Sequence, residues 1–112
     1  MKSSTKKCFL AWEDFQGKIS ESFNNLRTDQ DFCDVTLVCE ENQQIKAHKV
    51  VLASSSSLLK NMLKTVTHSH PLLYFWDVKE RDLHKIVEFI YTGQVAIYQS
   101  DLDEFLKISA KL

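Results

Sequence analysis

Phe15, Ile19, Phe23 and Leu26 recur at spacings of four and three, with Asp14 just ahead of them as an N-cap candidate. The pattern predicts a helix with one apolar face, ending near Arg27. Asp34 to Cys39 alternates instead with period two, placing Val35, Leu37 and Cys39 on one side and Thr36 and Val38 on the other. A polar connection from Glu40 to Gln44 leads to Ile45–His48, whose Ile45 and Ala47 match the buried side of the first strand, so the two form an antiparallel hairpin. A helical turn follows at Lys49–Ala53. The serines at 54 to 57 offer N-caps for a helix over Leu58–Lys64 with a stripe of Leu58, Leu59, Met62 and Leu63. The stretch His68–Pro71 breaks the pattern.

Leu72–Trp76 is a continuous apolar run bounded by Pro71 and Asp77, as in a strand covered on both faces. The clearest helical period comes next. Leu83, Ile86, Val87, Ile90 and Tyr91 share one face, and Gly93 stands where a left-handed C-terminal residue is needed, which predicts a helix over Glu80–Thr92. Gln94–Ile97 reads as a short strand. Ser100 with Asp103 suggests a capping box for a last helix carrying Leu102, Phe105, Leu106 and Leu112. No stop signal stands at Leu112, so the chain is expected to be a domain of a longer polypeptide. At the other end, Cys8–Trp12 is too short for a helix and reads as a strand with nothing local to pair with, preceded by a polar tail over residues 1–7.

Composition narrows the function classes. A chain of 112 residues, 44% hydrophobic, with 2 Gly and 1 Pro, is one folded domain. Its 14 basic against 15 acidic residues provide no global positive field for a polyanion, which argues against direct nucleic-acid binding. No apolar run approaches the roughly 18 residues of a membrane helix, and no membrane association is expected. Cys8, Cys33 and Cys39 are odd in number and lack a Cys-x-x-Cys pair, as expected of reduced thiols.

Candidate chemistry is thin. Serines, histidines and aspartates are present without a Gly-x-Ser-x-Gly elbow, so no enzyme is expected and no catalytic residue is assigned. His68 and His70, with His48 or His84, lack the usual metal-ligand spacing, and Gly17 and Gly93 cannot form a phosphate loop. No metal or cofactor is expected.

The order of elements is an α+β pattern, and four blocks add a resemblance. Asp31-Phe32-Cys33-Asp34-Val35-Thr36-Leu37, Ala47-His48-Lys49-Val50-Val51-Leu52-Ala53-Ser54 and Phe89-Ile90-Tyr91-Thr92-Gly93-Gln94-Val95 resemble, in order and spacing, the signature blocks of the BTB/POZ domain. Leu10-Ala11-Trp12-Glu13-Asp14-Phe15-Gln16 is similar to the opening of the Tramtrack-type BTB domains of insect transcription factors. The resemblance covers residues 8–112 and implies a small mixed sheet flanked by helices, with the leading strand exchanged in a dimer. It implies a dimer interface of Phe9, Leu10, Trp12, Phe15, Ile19 and Phe23, and a charged pocket at the dimer floor holding Asp34 and Lys49.

The function implied is homodimerisation, extending to multimers of dimers, of a nuclear transcription or chromatin factor, with related BTB domains or corepressors as further partners. An alternative within the same fold is a substrate adaptor of a cullin-type ubiquitin ligase. Such adaptors often carry a hydrophobic-x-Glu element after the third helix, whereas Lys64-Thr65-Val66-Thr67-His68 holds no glutamate, which favours the transcriptional reading.

Overall fold

The computed structural model describes residues 5–112. Helix α1 (Phe15–Thr28) precedes strand β1 (Val35–Val38), a 3-10 turn at Glu40–Asn42 and strand β2 (Gln44–Ala47). Helices α2 (Lys49–Ser55) and α3 (Ser57–Thr65), strand β3 (Leu72–Tyr74), helix α4 (Glu80–Thr92), a 3-10 turn at Gln99–Asp101 and helix α5 (Leu102–Ala110) complete the chain. The sheet order is β2-β1-β3, with β1 antiparallel to β2 and parallel to β3. The helix-and-strand mixture expected from the pattern is therefore present.

Every residue of β1 is buried. As the central strand it is covered on both faces, so Thr36 and Val38 do not turn to solvent as the alternation suggested. The Thr36 hydroxyl is satisfied instead by His70 Nε2 at 2.7 Å. Val35, Leu37, Ile45, Ala47, Leu52, Leu59, Leu73, Leu83, Val87 and Tyr91 pack into one core between the sheet and α2, α3 and α4. Full burial of a leucine such as Leu83 or Leu52 contributes about 1.5–3 kcal/mol. Ser56 caps α3, its Oγ accepting from the Leu59 N–H at 3.1 Å while donating to the Leu112 carbonyl at 2.7 Å. Gly93 ends α4 with φ of 78°, the left-handed geometry that its position required.

Several expectations are corrected. The leading run 8–12 forms no strand, because a strand exists through ladder hydrogen bonds and among the described residues it joins no ladder. Residues 94–97 are likewise outside any ladder. β3 lies at the sheet edge and not between two layers, with Leu73 buried but Leu72 and Tyr74 exposed. The Tyr74 and Trp76 rings stack on each other at 5.0 Å in place of a second covering layer. Asp14 stands at the N-cap of α1 in the left-handed region (φ 55°) and makes no side-chain cap bond. Ser100 falls inside the 3-10 turn, so Asp101 precedes α5 and the Ser100–Asp103 capping box does not form. Of the expected polar tail, residues 1–4 lie outside the described residues, and residues 5–7 are exposed without regular structure.

Candidate dimer interface

The leading segment and α1 hold the largest mismatch between residue type and environment. Phe9 is 97% exposed, Leu10 96% and Trp12 60%. Trp12 touches Phe15 edge to face at 4.9 Å, but Phe15 is itself exposed, as is Phe23, and Ile19 is half-buried. No residue of the 14-residue helix α1 is buried. An amphipathic helix normally hides its stripe against a neighbour. Here the stripe is left partly open. The radius of gyration, 18.0 Å, exceeds the about 13 Å of a compact chain of this length, as expected when an extended arm leaves the body.

Polar contacts fix where α1 sits. Ser20 Oγ donates to the Tyr91 carbonyl at the end of α4 (2.8 Å), satisfying an acceptor that the helix end leaves open. The Arg27 guanidinium, steadied by Asn24 Oδ1 at 2.8 Å, lies 5.2 Å over the Tyr91 ring. α1 is thus anchored along one side by α4.

Tyr91 joins this helix to the sheet. Its hydroxyl accepts the His48 backbone N–H at 2.8 Å and lies 2.7 Å from His48 Nδ1. His48 Nε2 faces the Asp31 carbonyl oxygen at 2.8 Å. A carbonyl can only accept, so Nε2 carries a proton, and in the neutral ring this leaves Nδ1 to accept from the tyrosine hydroxyl. Burial pushes the Tyr91 phenol up to about 12, against a smaller lowering by the His48 N–H. The Cys33 thiol lies 3.8 Å from His48 Nε2 and is pushed up by burial and then by the Asp34 charge. All three cysteines are free thiols.

Asp34 and Lys49 meet through backbone, not through opposite charges. Asp34 Oδ1 accepts the Lys49 N–H at 2.8 Å, at the first turn of α2. The Lys49 ammonium turns to the loop carbonyls of Ser69 at 3.1 Å and His68 at 3.5 Å. Among the described residues the ion pairs do not join Asp34 to Lys49. The buried polar centre beside them, His48 with Tyr91, was not singled out from the sequence, although both residues stand inside the signature-like blocks. Among the described residues there is no group of three or more His, Cys, Asp or Glu that could hold a metal ion, and no helix is long and apolar enough to cross a membrane.

A three-stranded mixed sheet, a cluster of helices and an uncovered apolar arm define a small protein-interaction module. The BTB/POZ domain model matches residues 23–112, and the chain belongs to that family. Among similar proteins of Drosophila melanogaster, the Broad-complex core protein isoforms 1/2/3/4/5 are 44% identical over 108 residues, covering 96% of this chain and 15% of that protein. Longitudinals lacking protein-like is 42% identical, covering 100% of this chain and 87% of that one, and the Tramtrack alpha isoform is 31% identical, covering 100% and 14%. The chain thus spans a small part of the Broad-complex and Tramtrack proteins and most of the shorter relative. The BTB domain of zebrafish PATZ1 superposes with a TM-score of 0.82 at 21% identity, covering 95% of this chain and 86% of that one, which speaks for the fold alone.

Proposed function

We propose that residues 8–112 are a homodimerising domain in which two copies exchange their leading segments and pack α1 against its symmetry mate. The observation carrying this reading is the near-complete exposure of Phe9 and Leu10 beside a first helix with no buried residue. In water such an arm leaves apolar area and backbone groups unpaired, and a second copy offers the same unmet surface in a self-complementary way. Residues 94–98, which lie outside any ladder, are a run for the arm to join. Phe15, Ile19 and Phe23 would then divide between the copy's own body and the interface, with Trp12 at the junction.

An intertwined interface of this kind buries about 2,000 Å² or more, above the standard size of a specific complex. The family and the Drosophila relatives support a role in a larger nuclear, transcription-regulating protein, with self-association raising the effective concentration of DNA-binding modules located elsewhere. Assembly beyond the dimer, related BTB domains and corepressors belong to the same reading. Sedimentation over a concentration series tests it. The intact chain is expected to run as a dimer or larger, and deletion of residues 1–13 to give a weakly associating, aggregation-prone species. Unchanged mass and melting temperature after the deletion refute the exchange.

A further inference from the structure

The sheet has two unlike faces. Val35, Leu37, Ile45, Ala47 and Leu73 belong to the core. Thr36 pairs with Lys46 and Leu72, and Val38 with Gln44 and Tyr74, which sets these six on the opposite face. Along the β3 edge of that face Leu72 and Tyr74 are about half exposed, and Trp76, stacked on Tyr74 at 5.0 Å, is 77% exposed. Three large apolar side chains thus follow one another at every second residue in water, and Tyr and Trp are the types that most often anchor an interface.

Charge around this ridge is uneven. Residues 46–76 contain Lys46, Lys49, Lys60 and Lys64 and no Asp or Glu, so that stretch carries +4 and the rest of the chain −5, against a total of −1. Lys46 is exposed on the ridge's own face, in the same cross-strand row as Leu72. His70, two residues before Leu72, is held by the Thr36 hydroxyl at 2.7 Å. The Lys49 ammonium lies on the adjoining loop, at the carbonyls of Ser69 (3.1 Å) and His68 (3.5 Å), which orient it without cancelling its charge. Neither Lys46 nor Lys49 enters an ion pair among the described residues. Carboxylates stand at the other end. Asp77, next to Trp76, meets Lys111 at 3.7 Å, and the Glu40 N–H donates to the Val78 carbonyl at 3.1 Å.

We propose that this face docks a short segment of another protein that is acidic at one end and apolar beyond it. Its apolar side chains rest on Leu72, Tyr74 and Trp76, and its carboxylates lie at Lys46 and Lys49. Charge complementarity selects this occupant, because the end of the ridge at Leu72 has cations without counter-ions while the apolar middle offers anchors. A nucleic-acid strand fits less well. It bears charge along its whole length and would carry phosphates to Asp77 and Glu40, where like charges repel. The inference does not depend on the exchange of leading segments.

The test is fluorescence anisotropy of the full chain with a labelled synthetic peptide of about fifteen residues, Asp and Glu filling one half and Leu, Phe and Ser the other. At about 50 mM salt it is expected to bind with a dissociation constant of about 10 μM. Trp76→Ala is expected to weaken binding about thirtyfold at any salt. Lys46→Glu should weaken it about tenfold at about 50 mM salt and little at about 500 mM, where screening removes the difference. Both side chains are exposed, so the variants keep the fold. The same peptide with Lys in place of its acidic residues should bind at least about tenfold more weakly. Absence of binding up to about 1 mM, or equal binding of the lysine peptide, overturns the proposal. Tighter binding of single-stranded oligothymidylate, lost in Trp76→Ala, overturns it in favour of nucleic acid. Sedimentation of Trp76→Ala should give the mass of the unaltered chain, and a lower mass would put a second copy on this face and overturn the proposal too.

Discussion

Replacing Phe9 and Leu10 together by alanine isolates association from folding. In the single chain both side chains are almost wholly in water, so they contribute nothing to its core, and the change should alter the stability of an isolated copy by no more than about 0.5 kcal/mol. In an exchanged dimer each would be buried. A fully buried Phe or Leu is worth about 1.5–3 kcal/mol, and alanine keeps part of that, leaving about 3 kcal/mol lost for the pair in each copy. Two-fold symmetry counts every residue twice, so the dimer should lose about 6 kcal/mol. At 1.4 kcal/mol per tenfold change, that raises the dissociation constant by about four orders of magnitude. Sedimentation velocity from nanomolar to micromolar chain reads the shift directly, with circular dichroism confirming that the helices persist. A dimer of unaltered strength would refute the argument. So would a loss of helix content that does not depend on concentration, because it would place the two residues inside the single-copy fold.

Two further outcomes concern the polar centre. Folding keeps the Tyr91 phenol neutral, its value raised from 10.0 to about 12. Its contribution to stability is therefore complete below pH 10 and is lost as pH rises to 12, a fall of about 2 to 3 kcal/mol. Urea melts of wild type and Tyr91→Phe across that range should show the steeper fall in wild type alone, and parallel curves would remove Tyr91 as the cause. At neutral pH, Tyr91→Phe should cost about 1–3 kcal/mol by leaving the His48 N–H without its acceptor. Asp34→Ala should cost about 1 kcal/mol through the lost acceptor at the start of α2. Lys49→Gln should cost less than about 0.5 kcal/mol, since its ammonium meets exposed loop carbonyls. Equal and large losses in the two variants would instead reveal a buried ion pair.

Helix α4 was legible in the chain because its stripe is long and periodic and Gly93 marks its end. The β1–β2 hairpin was legible for the same reason, its apolar positions agreeing across the turn. What could not be read is whatever depends on a neighbour distant in sequence. The covering of both faces of β1 and the edge position of β3 follow from sheet order, which local alternation does not encode. Run 8–12 has strand composition without a partner in its own chain, so the residue types were informative while the element was absent. In the candidate site, the aromatic stripe of α1 was visible as periodicity. His48 with Tyr91 was not, since each looked like an ordinary member of a helix or strand.

The two tryptophans of the chain occupy unlike positions. Trp12 lies on the arm, and Trp76 is stacked on Tyr74 at the sheet edge, and both face water in the single copy. Each indole should therefore emit at long wavelength in isolation. Since the proposed exchange would bury Trp12, which stands on the arm, a blue shift in its emission on raising the chain concentration would serve as an optical gauge of pairing.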